Sequence, residues 1–132
     1  MTVEEVDMIN VRYIVDEVDV AVRFYTERLG FAVVMHAPAD FAMLEREGLR
    51  LLLNRPGAGG AGRSDDRGRP PEPGGWNRFQ LAVPDLDEAL AELVRAGVPV
   101  RTGVVGGGGG RQAVIEDPAG NPIELFEPKT NE

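Results

Sequence analysis

The sequence predicts an α+β protein: two βαβββ modules whose curved, mixed sheets form a cup. Three observations predict it. Short runs alternate apolar and polar residues, the period of half-buried strands. Two segments carry an apolar stripe at helical spacing and close on glycine. The second half of the chain repeats the first in the same order.

The first strand is Asn10 to Val15, with Val11, Tyr13 and Val15 on one face and Asn10, Arg12 and Ile14 on the other. A helix follows over about Val18 to Leu29, where Val18, Ala21, Val22, Tyr25 and Leu29 share a face. Asp16 or Glu17 is placed to cap its first turn, and Gly30 suits the left-handed residue that ends a helix. Strands are expected at Phe31 to His36, Phe41 to Glu45 and Leu49 to Asn54, with Phe31, Val33 and Met35 facing the core. Met35 and Met43 are therefore expected to fill core space rather than to form an adaptable binding surface.

One domain is expected over residues 1–132, with module 1 at about 8–56, a Gly/Pro-rich linker at 57–75 and module 2 at about 76–128. The linker holds too little apolar surface to offset its ordering entropy, so it is expected to be mobile. In module 2, Phe79, Leu81 and Val83 alternate with Arg78, Gln80 and Ala82. Asp85 and Glu88 have capping-box spacing ahead of the stripe Leu86, Ala89, Leu90, Leu93 and Val94, which Gly97 closes. Strands follow at Val98 to Val105, Gln112 to Glu116 and Ile123 to Phe126. Gly106 to Gly110 reads as a flexible hairpin loop. A phosphate cradle would need a helix to start after it, and none is predicted.

The repeat aligns Asn10–Val22 with Arg78–Leu90 without a gap, and Gly48–Pro56 with Gly120–Pro128. One helix covers one face of a sheet. Parity then assigns Val11, Tyr13, Val15, Leu51, Leu53, Phe79, Leu81, Val83, Ile123 and Leu125 to the helix side. The opposite face carries Asn10, Arg12, Ile14, Arg50, Leu52, Asn54, Arg78, Gln80, Ala82, Pro122, Glu124 and Phe126. Concave faces of this kind are where small-molecule sites tend to lie.

The chain has no cysteine, which removes disulfides, thiolate nucleophiles and cysteine-bound metals. Its 22 acidic and 14 basic residues give a net charge of −8, so a nucleic-acid partner is not expected. No leader pattern or membrane-length apolar run is present, so neither a membrane partner nor secretion is expected and the cytoplasm is the default location. Ser64, the only serine, lies in the linker without a neighbouring base.

Two sets of residues carry a family resemblance. Asn10 to Glu17 leads to Phe24-Tyr25-Thr26-Glu27-Arg28-Leu29-Gly30-Phe31, and Glu116-Asp117-Pro118-Ala119-Gly120-Asn121-Pro122-Ile123-Glu124-Leu125 closes the second module. Together they resemble the vicinal-oxygen-chelate superfamily of glyoxalases, bleomycin resistance proteins and dioxygenases, over nearly the whole chain except the linker. The resemblance implies the βαβββ repeat, a homodimer, and a site inside the cup. It also implies a divalent metal held by two side chains per module, at positions that here are Asn10, Leu52, Arg78 and Glu124. The internal repeat picks out the same four, since Asn10 lies over Arg78 and Leu52 over Glu124.

Those four do not make a metal quartet, because only Glu124 is a good donor and Arg78 carries a fixed positive charge. The sequence therefore predicts no cofactor and no divalent metal, and a protein that binds a small organic ligand, such as a metabolite or antibiotic, without chemistry. The alternative is a glyoxalase-like lyase/isomerase or a dioxygenase-related enzyme with a non-standard metal site. Arg78 and Glu124 are expected to form an ion pair. Ligand contacts are expected from Asn10, Arg12, Arg50, Leu52, Asn54, Trp76, Arg78, Gln80, Glu124 and Phe126. Arg12, Arg50 and Arg78 against one carboxylate favour an anionic ligand, unless Arg12 and Arg50 pair elsewhere. No catalytic set is evident. His36, by parity on the cup or its rim, and Glu124 are the candidates for base and acid; His36 also reads as an exposed strand end. Trp76 either stacks on a flat ligand or anchors the linker.

Overall fold

The computed structural model describes residues 8–130. The order is β1 (Asn10–Ile14), α1 (Val18–Leu29), β2 (Ala32–Ala37), β3 (Phe41–Arg46), β4 (Leu49–Asn54), β5 (Gln80–Ala82), α2 (Leu86–Arg95), β6 (Val100–Gly107), β7 (Gly110–Glu116) and β8 (Pro122–Pro128). The predicted α+β class and βαβββ repeat are what the chain forms. Each half holds one four-stranded mixed sheet and one helix, in the strand orders β1-β4-β3-β2 and β5-β8-β7-β6. The chain divides after Pro73 into two compact units.

In the first unit β1 runs parallel to β4, and β4, β3 and β2 are antiparallel neighbours. The helix-side face of this sheet is buried, and in β4 Leu52 and Asn54 on the opposite face are buried as well. Tyr13, Ala42, Leu44, Leu51 and Leu53 are buried on the face that receives Val18, Ala21, Val22, Tyr25 and Leu29 of α1. Tyr25 is fully buried and meets Phe24 and Phe31 edge-on, with ring centroids 5.0 and 5.5 Å away. The N-cap of α1 is Glu17, whose side chain makes no capping hydrogen bond, and Asp16 is not the cap. Gly30 ends the helix at φ 70, its N–H donating to the Tyr25 carbonyl, a conformation that costs glycine little.

Strand β2 departs from the expected alternation. All six of its residues are exposed, with Val33 48% and Met35 52% accessible. It lies at the sheet edge, and the register shifts between Val33 and Met35. Before the shift Val33 pairs with buried Leu44, and after it Met35 pairs with Met43 and His36 with buried Ala42. The bulge reverses parity. Met35 and Met43 therefore lie on the face away from α1 rather than in the core, and His36 lies on the helix side.

The expected mobile linker is hydrogen-bonded within itself. Gly57 N–H donates to the Gly62 carbonyl (2.7 Å) and Gly62 N–H to Ala58 (3.0 Å). A Cβ at Gly62 would collide with the backbone of Ala58 and Arg55. Further on, Asp65 accepts the N–H groups of Arg67 and Arg69, both at 2.9 Å, and the Arg69 Nε at 2.8 Å. Those donors hold its carboxyl below the ordinary aspartate value, with the Arg69 N–H contributing most. Asx-type turns of this sort need polar side chains rather than apolar burial.

In the second unit β5 is parallel to β8, and β8, β7 and β6 are antiparallel neighbours. The ladder extends past both ends of β5, through Glu124 N–H to Phe79 and Val83 N–H to Phe126. Asp85 caps α2, accepting the Glu88 N–H at 3.0 Å. The glycine run is a tighter hairpin than expected: Gly107 pairs with Gly110, leaving Gly108 and Gly109 as the turn.

Glu127 ties β8 to the start of α2. It accepts the Leu86 N–H (2.9 Å) and an Arg111 Nη2 (3.0 Å), and Arg111 also pairs with Asp87. The Leu86 N–H, then Arg111, hold the Glu127 carboxyl below the ordinary glutamate value. A depressed folded-state pKa contributes stability above the unfolded pKa and loses it as pH falls through the folded one. Glu127→Gln should therefore lower the melting temperature at neutral pH. The gap from wild type should narrow as pH drops below about 4. Melting curves at stepped pH check this, and a constant gap down to acid would refute it.

Candidate functional site

The register fixes which side chains share the face turned away from each helix. In the first sheet Asn10 lies beside Arg50, Arg12 beside Leu52 and Ile14 beside Asn54. Across the next ladder Arg50 neighbours Glu45, Leu52 neighbours Met43 and Asn54 neighbours Phe41. The Arg12 guanidinium donates to the Asn54 amide oxygen at 2.7 Å. Arg12 is exposed while Leu52 and Asn54 are buried. Arg12 thus meets a neutral amide, and among the described residues it makes no ion pair.

In the second sheet Gln80 lies beside Glu124 and Glu124 beside Val114; Ala82, Phe126 and Gln112 form the next row. The Phe126 ring lies against Gly110, where no side chain intervenes. Glu124 is the centre of this face. Its Oε1 accepts Arg78 Nε at 3.0 Å and Arg78 Nη2 at 2.9 Å, and its Oε2 accepts Gln80 Nε2 at 2.6 Å. The Glu124 side chain is 11% exposed and Arg78 26%. The anticipated ion pair is present, with Gln80 completing it. Charge-assisted bonds of this forked form are the strong kind, and they occupy both carboxylate oxygens.

As a donor set, the family's metal positions do not suit a divalent cation. In the first sheet Asn10 offers one amide oxygen and Leu52 none; in the second Arg78 is a cation and already holds Glu124.

His36 stands apart from this face. Its Nε2 is 2.7 Å from Asp19 Oδ1 on α1, and the Ala39 N–H donates to the same oxygen at 3.0 Å. The Ala39 N–H, then His36, hold the Asp19 carboxyl below its ordinary value. The expected position of His36 on the opposite face does not hold, because the β2 bulge turns it toward the helix. His36 and Glu124 also belong to different units.

Trp76 is 64% exposed, and the Arg101 guanidinium lies over its ring, 4.7 Å from the centroid. Arg101 was not foreseen as a site residue. It sits at the register shift between Val100 and Thr102 in β6, where alternation gives no guide to direction. The Asp-Pro-Ala-Gly-Asn motif is structural here. Buried Asp117 accepts the N–H groups of Ala119 (2.8 Å) and Asn121 (2.9 Å), and Asn121 Oδ1 accepts the Gly74 N–H at 2.7 Å.

Comparisons with known proteins bear on this arrangement. The family model of the Glyoxalase/Bleomycin resistance protein/Dioxygenase superfamily matches residues 6–125. No curated protein matches the chain. A superfamily member from Sphaerobacter thermophilus is 28% identical with a TM-score of 0.72, over 91% of this chain and 95% of that one. A lactoylglutathione lyase from Agrobacterium tumefaciens is 24% identical with a TM-score of 0.72, over 91% and 92%. An antibiotic binding protein from Streptomyces sp. CB03234 is 24% identical with a TM-score of 0.63, over 92% and 96%. The last two likenesses are of fold. The βαβββ repeat, the strand orders and the family model's span lead to one conclusion: the chain belongs to the Glyoxalase/Bleomycin resistance protein/Dioxygenase superfamily.

Proposed function

We propose that this protein binds a small organic molecule without a metal, sequestering it rather than transforming it. The observation that carries the reading is the engagement of Glu124. The one strong donor among the four family metal positions already has both oxygens bonded, to Arg78 and Gln80. A cation there would have to displace a guanidinium and an amide while gaining little from Leu52 or Asn10. That a protein of the same fold binds an antibiotic supports the reading.

The sheet face turned away from the helix offers Arg12 and Asn54 in the first unit, and Gln80 and Phe126 in the second, as polar and apolar contacts. Arg12, bonded to a neutral amide, favours a ligand with a carboxylate, phosphate or phenolate. A homodimer and a cytoplasmic location belong to the same proposal. No helix among the described residues is long and apolar enough to cross a membrane.

The test has two arms. Purified protein is dialysed, analysed for metal, and titrated with zinc, nickel, manganese and iron. It is then screened by thermal shift against antibiotics and metabolites grouped by charge, since a ligand of the native state raises its melting temperature. The expected outcome is no stoichiometric metal and stabilisation by anionic compounds, weakened by Arg12→Met by about tenfold, the worth of a charged hydrogen bond. Metal retained at one equivalent would overturn the reading in favour of a lyase/isomerase or dioxygenase-type enzyme. Stabilisation by cationic compounds alone would overturn the ligand class.

A further inference from the structure

The segment from Gly74 to Arg78 enters the second module through two glycines at φ 103 and 85, a backbone with little order of its own. Arg101 and Asn121 impose the order. Asn121 Oδ1 holds Gly74, and Arg101 Nη1 donates to the Gly75 carbonyl. The rest of the Arg101 fork is also fixed, with Nε on Glu116 at 2.8 Å and Nη2 on the Gly120 carbonyl at 2.8 Å. Every nitrogen of the guanidinium is thus engaged. Its plane has one orientation, and the Trp76 indole lies on it. Just beyond, the Arg78 Nη1 donates to the Trp76 carbonyl at 3.2 Å, joining the indole's backbone to the Glu124 centre.

The contrast in exposure is informative. The Arg101 side chain is 16% exposed, whereas Trp76, the largest apolar side chain in the chain, is 64% exposed. A stack built only for stability would bury the indole and leave the cation in water. Here the cation is inside and the ring outside. A guanidinium fixed under one face also draws down the π-density that a second cation would need on the other. The outer face then favours a planar ring that is electron-rich or negatively charged.

We propose that Trp76 is a stacking platform for a planar, anionic aromatic group, and that Arg101 is the positioning residue that holds it. This rests on the small-molecule reading above and specifies the ligand's class at one place.

Trp76 is the only tryptophan, so its single indole N–H resonance reports the platform directly. Full-length protein is titrated with naphthoate, with naphthylmethylammonium, and with the saturated decahydronaphthoate. Naphthoate is expected to move the indole resonance saturably, and the other two to bind more weakly by about fivefold or more, the size of one such contact. Arg101→Met, similar in bulk without the fork, should weaken naphthoate by about fivefold and shift the free-state resonance. Arg101→Lys should not rescue it, because an ammonium keeps the charge but not the plane. Trp76→Leu, with Arg101 intact, should lose naphthoate binding without loss of fold. An indole resonance unmoved by naphthoate in the wild type, or equal binding by wild type and Arg101→Met, overturns the platform. Antibiotic or metabolite hits that leave the indole unmoved overturn it too, while the binding reading stands. A screen without hits overturns that reading instead.

Discussion

Tyr25→Ala is expected to lower stability by about 3–5 kcal/mol, more than any other single truncation in the first unit. Tyr25 has no solvent exposure and stands between Phe24 and Phe31, each meeting it edge-on. Removing the ring deletes two aromatic contacts and leaves a hole that Leu51 and Leu53, fully buried in the sheet beneath α1, cannot fill without moving strands. The Gly30 N–H also bonds to the Tyr25 carbonyl, so any shift of this turn disturbs the helix end. At this chain length the loss corresponds to a fall in melting temperature of roughly 10–20 °C. Trp76→Ala is the control. A ring 64% exposed should leave the melting temperature nearly unchanged. Calorimetric melting of both variants decides the matter, and comparable losses would show that the α1 face is not the core the burial pattern makes it.

Much of this was legible in the sequence where one face of an element is buried. The helix-side residues Tyr13, Leu51, Leu53, Ile123 and Leu125 alternate along β1, β4 and β8 and are buried, so parity placed Arg12, Leu52 and Asn54 on the other face of the first sheet and Glu124 on the other face of the second. The repeat added what parity could not, since laying Asn10 over Arg78 and Leu52 over Glu124 marked the corner where the ion pair forms. Strand β2 was misread because an edge strand exposed on both faces has no burial to fix its phase. A single bulge then moved His36 to the helix side and Met35 away from it. The order of the Asp65 loop was equally hidden, for it comes from side-chain-to-backbone bonds that leave no apolar pattern. Arg101 was missed for both reasons: irregular register on its own strand, and partners that are mostly carbonyls.

Arg78→Ala should cost about 3 kcal/mol, in the range seen when one partner of a mostly buried pair is removed. The effect comes less from the lost attraction than from what stays behind. Glu124, 11% exposed, would keep only Gln80 as a partner and would face a cavity. Arg78→Met fills the space but still strands the carboxylate, so it should be destabilised less than Arg78→Ala, the difference measuring the hole. The double variant Arg78→Met with Glu124→Leu should recover most of the loss, since matched apolar replacement of a buried pair is often neutral. Urea melts of the three variants separate these contributions through the coupling between the two sites. Equal behaviour of Arg78→Ala and Arg78→Met, or a double variant no better than either, would mean that Glu124 does not depend on its guanidinium. The function would follow the same logic. Arg78→Met frees one oxygen of a carboxylate that Gln80 still holds, with no second strong donor beside it, so this variant should bind zinc no better than the wild type, and isothermal titration of both proteins would show it. Zinc affinity gained by the variant would mean that the guanidinium alone keeps the cation out.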